Sequence, residues 1–353
     1  MDLSQSRVLV TGGAGFIGTA LAQGWAKRTA AWIAYDSMLE QVHGTQVIPD
    51  LPENASFIRG DVRDAKLLAE VVADVRPDVV IHLAAETGTG QSLDLPSRHT
   101  DVNVTGTARL LEALDSAEVR PRKLVLASSR AVYGEGGWLT AEGVVEQPLG
   151  RSLEMLARGE WDFVGRTSIP SATGSTRPTP CNIYGATKLC QEHLVTSWAT
   201  ARDVSTGLLR LQNVYGPGQS PINPYTGITT LFFRIANRGD AIPIYEDGAI
   251  VRDFVFIDDV TRAIMKVAGH DGNSLIDVGS GEATTIAEVA KIIARICSAP
   301  HPKITGQYRL GDVRSASCDM ADSRWVFDNV SPTGISTGLK KLHSWMRDRA
   351  FED

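Results

Sequence analysis

The stretch RVLVTGGAGFIG, residues 7 to 18, decides how the chain begins to fold. Its first half is an apolar, β-branched run, and its second half sets Gly12, Gly15 and Gly18 where a strand gives way to a helix. Continuous apolar character predicts a strand covered on both faces, as in a parallel sheet flanked by helices. Glycines at this spacing allow a tight turn and let backbone N–H groups approach a pyrophosphate, whose charge is stabilised by the helix N-terminus. A second apolar strand, WIAYD, ends at Asp36, 18 residues beyond Gly18. A carboxylate in that place accepts both ribose hydroxyls of NAD and repels the 2′-phosphate of NADP. NAD is therefore the expected cofactor. Phe16 and Ile17 within the loop, Asp61 and Val62 after the third strand, and Leu83, Ala84 and Ala85 after the fourth are expected to line it. For Asp61 a simple turn or helix-capping role is an equal alternative.

Working outward, SFIRG, VVIHLA and KLVLAS continue the strands and alternate with helices expected from about 15, at 65 to 74 and from Val102. That alternation predicts an α/β fold, a Rossmann-type doubly wound parallel sheet, with a smaller interleaved α/β lobe for substrate. Residues 1 to 210 would form the cofactor domain and 211 to 353 mainly the second lobe, with a segment near 250 to 280 returning to the first. TGLLRL (206 to 211), VRDFVF (251 to 256) and SLIDVG (274 to 279) read as strands, and helices are expected at 227 to 238, 258 to 268 and 284 to 297. From about 137 to 180 the chain is rich in Gly, Pro, Ser and Thr, with one helix-like piece, RSLEMLARGEW. So long a connection inside a domain is read as a cover or partner-contact insertion.

Composition narrows the function. With 43% apolar and 22% charged residues and a net charge of −6, the chain has no basic footprint for nucleic acid. It has neither a cationic run followed by an apolar leader nor an apolar run long enough to span a bilayer, so a cytoplasmic protein without membrane contact is expected. Four cysteines without a CxxC pair or metal-like spacing predict neither disulfides nor a metal site.

In NIYGATKLCQEHL, residues 182 to 194, Tyr184 and Lys188 stand four apart on a predicted helix. They therefore share one face, where the ammonium can lie near the phenol or near a ribose. A phenol near pKa 10 is a poor base at neutral pH unless positive charge favours its anion. Lowering it by about three units takes about 4 kcal/mol, more than one lysine supplies, and an oxidised nicotinamide would add to it. Ser129, just past the KLVLAS strand, can position the proton transfer. Glu86 and Thr87, after HLAA, lie beside the expected sugar site. His82 reads as a satisfied core or cofactor-adjacent histidine, and His43, just after Asp36, as a solvated loop residue by default, with a place beside the adenosine as the alternative.

Taken together, VTGGAGFIG, HLAA, SSRAVYG, YGATK, NVYGPG, RDFVFIDDV and GDVR resemble the extended short-chain dehydrogenase/reductases that act on nucleotide sugars. The resemblance implies a catalytic set of Ser129, Tyr184 and Lys188, with Asn103 supporting the lysine through its backbone. It also implies a nucleotide-diphosphate sugar as substrate, contacted at its diphosphate or base by Asn213, Arg252 and Arg314, and a homodimer paired partly through the 184 to 202 helix; Arg130, where that pattern usually has a small or apolar residue, is a further candidate substrate contact. AAETGTGQS, DVNVTGT, GPGQSPINPYTGI, EDGAIVRDF and GQYRLGDVR are similar, more narrowly, to dTDP-L-rhamnose 4-epimerases. Sugar 4,6-dehydratases of the same kind carry Asp-Glu after the catalytic hydroxyl; Arg130 and Ala131 stand there instead, which disfavours dehydration.

Overall fold

The computed structural model describes residues 2–45, 48–220, 227–328 and 330–349. PINPYT (221–226), part of the stretch compared with rhamnose epimerases, lies outside them.

Seven strands form the central sheet: β1 (Arg7–Thr11), β2 (Ala31–Asp36), β3 (Ala55–Arg59), β4 (Val79–His82), β5 (Lys123–Ser129), β6 (Ser205–Leu211) and β7 (Ser274–Val278). Their order is β7-β6-β5-β4-β1-β2-β3 and every pairing is parallel. The sequence of strands reverses between β1 and β4, which is where ligands enter open α/β sheets. Apolar residues serve both faces. Val8, Val10, Ile81, Val125 and Leu209 pack with the helix Ile257–Ala268, while Leu9, Val80, Leu124 and Leu126 pack with the helices Ala65–Val75, Gly106–Ser116 and Ile183–Arg202. Continuous apolar strands are thus explained by helices on both sides. A third core, built on Tyr215, Phe233, Phe254, Phe256 and Ile293, joins the helices Ile228–Asn237, Ile286–Cys297 and Ile335–Asp348. Among the described residues no helix is long and apolar enough to cross a membrane, and the four cysteines are free thiols.

Two regions differ from expectation. The helix placed at Val102 begins at Pro96, runs through a π-turn at Asp101–Thr105, and continues to Ser116. Proline suits a first helical position because its missing N–H is not needed there. The 137 to 180 region holds a three-stranded antiparallel sheet, with Gly137–Thr140 between Val145–Glu146 and Arg166–Ile169. Its helix is only Leu153–Ala157. Strands this short, with Val145 and Glu146 exposed, carry too little alternation to be read from sequence. Arg151 ties the region to the third core: it donates to Glu246 at 2.8 Å and to the Asp312 carbonyl at 2.8 Å.

Candidate active site

At the carboxyl edge of the sheet lies a cavity of about 850 Å³. Gly12, Gly15, Phe16, Ile17, Gly18, Asp36, Asp61, Val62, Leu83, Ala84 and Ala85 line it, as do Glu86, Thr87, Ser129, Arg130, Tyr184, Lys188, Asn213 and Arg252. Asn103 and Arg314 do not.

The glycine loop suits a dinucleotide on its own geometry. Gly12 has φ 69°, in the left-handed region, and a Cβ there would lie 2.7 Å from the Ala84 nitrogen. A Cβ on Gly18 would lie 2.6 Å from the Gly12 and Gly13 carbonyl oxygens, so the helix packs on the turn as closely as backbone permits. At Gly15 a Cβ would meet only the Gly12 oxygen, at 3.3 Å, which leaves that side of the loop open to a ligand. Asp36 is fixed by accepting from the Ala14 N–H at 3.1 Å and the Met38 N–H at 2.9 Å. Asp61 accepts from the backbone and guanidinium of Arg63, a turn that still borders the cavity.

His43 is a correction. Read as solvated, it lines the cavity with its side chain 8% exposed and 3.8 Å from Asp36. Burial pulls its pKa down, and Asp36 opposes that.

Tyr184 sits in the first turn of the helix Ile183–Arg202, whose N-cap Asn182 accepts from the Gly185 N–H at 2.8 Å. Burial pushes the phenol up, while a hydrogen bond with Ser129 and the charge of Arg130 pull it back. The nearby fixed cation is thus Arg130, which lies at the position directly after Ser129.

Lys188 is buried, and burial draws its ammonium down to about 7, with Glu192 opposing. It donates to Gln191 at 2.6 Å. Gln191 in turn donates to Thr107 at 2.7 Å, and Thr107 lies 2.9 Å from His82. His82 is bonded to Thr11 on its other nitrogen at 2.6 Å and is held neutral by burial at about 3, the satisfied core histidine expected. Asn103 differs from expectation: its side chain bonds the Glu86 N–H and carbonyl and donates to Thr187 at 2.9 Å. Its own carbonyl accepts from Thr107 at 2.6 Å, so its backbone is linked to Lys188 only indirectly, through Thr107 and Gln191. Glu86, ion-paired with Arg98 at 2.7 Å, lines the cavity.

Arg314 is the second correction. Its guanidinium is gripped by Asp162, Asp247 and Glu246 at 2.7 to 3.1 Å, away from the cavity lining. Three carboxylates leave it no capacity for a ligand. Arg309, five residues earlier, lines the cavity instead, with its guanidinium 5.2 Å above the Tyr245 ring. Nothing in sequence spacing separates these two arginines.

The family model described as NAD dependent epimerase/dehydratase matches residues 8–155 and 162–279. A dTDP-L-rhamnose 4-epimerase of Burkholderia thailandensis is 45% identical over 96% of this chain and 94% of its own length. A UDP-glucose 4-epimerase of Mycolicibacterium smegmatis is 29% identical over 98% and 99% of the two chains. Among solved structures, the UDP-glucose 4-epimerase of Thermotoga maritima with UDP-glucose superposes with a TM-score of 0.80 at 25% identity, over 97% of this chain and 99% of that one. MoeE5 with UDP-glucuronic acid and NAD gives 0.76 at 29% identity, over 97% and 99%. With a parallel seven-stranded sheet, a glycine loop at its switch point and a matched model over most of its length, the chain belongs to the NAD dependent epimerase/dehydratase family.

Proposed function

We propose that this NAD-dependent nucleotide-sugar 4-epimerase inverts C4 of a dTDP-linked 6-deoxyhexose, taking dTDP-L-rhamnose to dTDP-6-deoxy-L-talose. The observation that carries the reading is one cavity lined together by the glycine loop, Ser129, Tyr184, Lys188, Asn213 and Arg252. Tyr184 is the proposed base and acid at the sugar 4-hydroxyl. Ser129 orients the phenol, and Lys188 donates to a ribose or to the phenol once it leaves Gln191. NAD, when bound by the glycine loop and Asp36, supplies the hydride acceptor for C4 and a further positive charge that favours the phenolate. Inversion requires the 4-keto sugar to present its other face, so the protein must hold the nucleotide and leave the hexose free to turn. Arg252 and Asn213 are the proposed anchor.

The substrate proposed follows the 45% identity to the rhamnose 4-epimerase. Loss of water is disfavoured because Arg130 and Ala131 follow Ser129, where the similar sugar 4,6-dehydratases carry Asp-Glu. The test is to incubate the purified protein, with no NAD added, with dTDP-, UDP- and GDP-sugars and to resolve epimeric products. Conversion of dTDP-L-rhamnose in preference to UDP-glucose and UDP-glucuronate is expected. Steady consumption of added NAD(H), followed at the reduced-nicotinamide absorbance, would instead make the chain a net reductase or dehydrogenase.

A further inference from the structure

Position 130 holds a cation that belongs to neither the glycine loop nor the set Ser129, Tyr184 and Lys188. Arg130 follows Ser129 directly, opens the short 3₁₀ turn Arg130–Tyr133, and lines the cavity. Its Nε donates to Asn213 Oδ1 at 3.0 Å. Among the described residues this guanidinium makes no other hydrogen bond or ion pair, so its terminal nitrogens keep their donors. Burial, the repulsion of Arg252 and the attraction of Asp312 act on it together, and at about 10 it stays charged at neutral pH. Arg252 itself spends one terminal nitrogen on Asp312 at 2.6 Å and the other on the Val251 carbonyl at 2.7 Å.

Two like charges held in one partly buried wall cost stability unless an anion joins them. A second observation points the same way. Gln212, beside Asn213 and 5% exposed, lines the same cavity, and neither its amide oxygen nor its nitrogen has a partner. Buried polar groups without partners are rare and mark a place where a polar ligand belongs.

We propose that Arg130 is a diphosphate ligand, pinned by Asn213 so that its free edge grips the phosphate bearing the sugar. The assignment rests on the nucleotide-sugar reading above. Arg130 belongs to the sugar-side phosphate because it adjoins Ser129 and its charge reaches Tyr184. A planar guanidinium fixed at Nε can still make two charge-assisted bonds with one phosphate through its terminal nitrogens. Asn213, with its oxygen occupied by Arg130, turns its amide N–H groups to the same anion.

The test compares nucleoside diphosphates with monophosphates by calorimetric titration of the protein as purified, using dTDP against dTMP and UDP against UMP. Arg130→Met should weaken diphosphate binding about 10- to 100-fold, the worth of a charge-assisted pair, and leave monophosphate binding unchanged. Arg130→Lys, which keeps the charge without the fork, should recover part of the loss and supplies a folded comparison if the Met variant unfolds. Equal weakening of both nucleotides, or of neither, overturns the assignment while sparing the nucleotide-sugar reading. An unaltered protein that binds diphosphate no better than monophosphate overturns both.

Discussion

The glycine-loop end and the arginine end of the one cavity are built by different means. At the first, recognition is made of backbone: Gly12, Gly15 and Gly18 clear space, and Asp36 is held by the N–H groups of Ala14 and Met38. At the second, the lining is made of side chains that arrive from distant parts of the chain, Arg130 after β5, Asn213 after β6, Arg252 from Val251–Phe256 and Arg309 beyond. Backbone recognition is rigid and reads a shape common to all dinucleotides. Long side chains read charge and can be exchanged without changing the fold, so substrate choice can vary at that end while cofactor choice stays fixed.

The largest effect is expected where the two ends meet. Tyr184→Phe removes the proposed proton acceptor and nothing else of the wall, so turnover should fall by about 10³-fold or more. Titration should find both nucleotide affinities unaltered, which separates a lost base from a collapsed site. A variant that still inverts its sugar at the native rate would end the mechanism proposed for this phenol.

Next in size is a pair of arginines that looks equivalent in sequence. Arg252→Met should cost nucleoside-diphosphate affinity about 10- to 100-fold with little change in stability, since its partner Asp312 is 31% exposed and can be solvated. Arg314→Met should do the reverse. It abandons Glu246, 1% exposed, to Arg151 alone and frees Asp162 and Asp247 to repel each other, a loss of about 3 kcal/mol in chemical denaturation. Nucleotide affinity of the folded fraction should stay unchanged. Should Arg314→Met weaken binding more than stability, its guanidinium leaves its carboxylates for the ligand and the contrast between the two arginines dissolves.

These arginines also mark how far the sequence could be read. Local signals were legible: the glycine spacing, the apolar runs of β1 to β7, and the four-residue step from Tyr184 to Lys188 all depend on neighbours in the chain. The placement of every cavity-lining residue expected near the glycine loop followed from where its strand ends. What failed depends on distant partners. Arg314 is claimed by Asp162 in the 137 to 180 region and by Asp247, and His43 is buried against Asp36. Asn103 sits on a π-turn that sequence does not announce, so its bonds to Glu86 and Thr187 went unforeseen. The 137 to 180 strands are too short for a period to emerge, and their order in the sheet is fixed by pairing, not by pattern.

A smaller effect probes the glycine-loop end. Asp36→Ser removes the charge that opposes a 2′-phosphate and shortens the acceptor for the ribose. Cofactor-stripped protein should then bind NAD about tenfold more weakly and should acquire measurable affinity for NADP. His43 bears on the outcome, since without Asp36 its ring is free to meet the added phosphate. An unchanged preference for NAD would shift selection from this carboxylate to the loop.

The last expected effect is a slope. Lys188 is drawn down to about 7 by burial, against 10.5 for the free side chain. Between those values the unfolded chain holds a proton that the native one has released, so native stability rises with pH; below about 7 both are protonated and the burial cost is present in full. Relative to Lys188→Met, the unmodified protein should therefore gain up to about 1.4 kcal/mol per pH unit above pH 7 and show no pH dependence from this group below it. Denaturation of cofactor-stripped protein between pH 6 and 9 measures the difference. Saturation with NAD should flatten the slope, because a ribose oxygen accepting from the ammonium favours its charged form. A slope indifferent to NAD would place Lys188 permanently on Gln191, 2.6 Å away, and make it a support for the helix in place of a link between the two ends of the cavity.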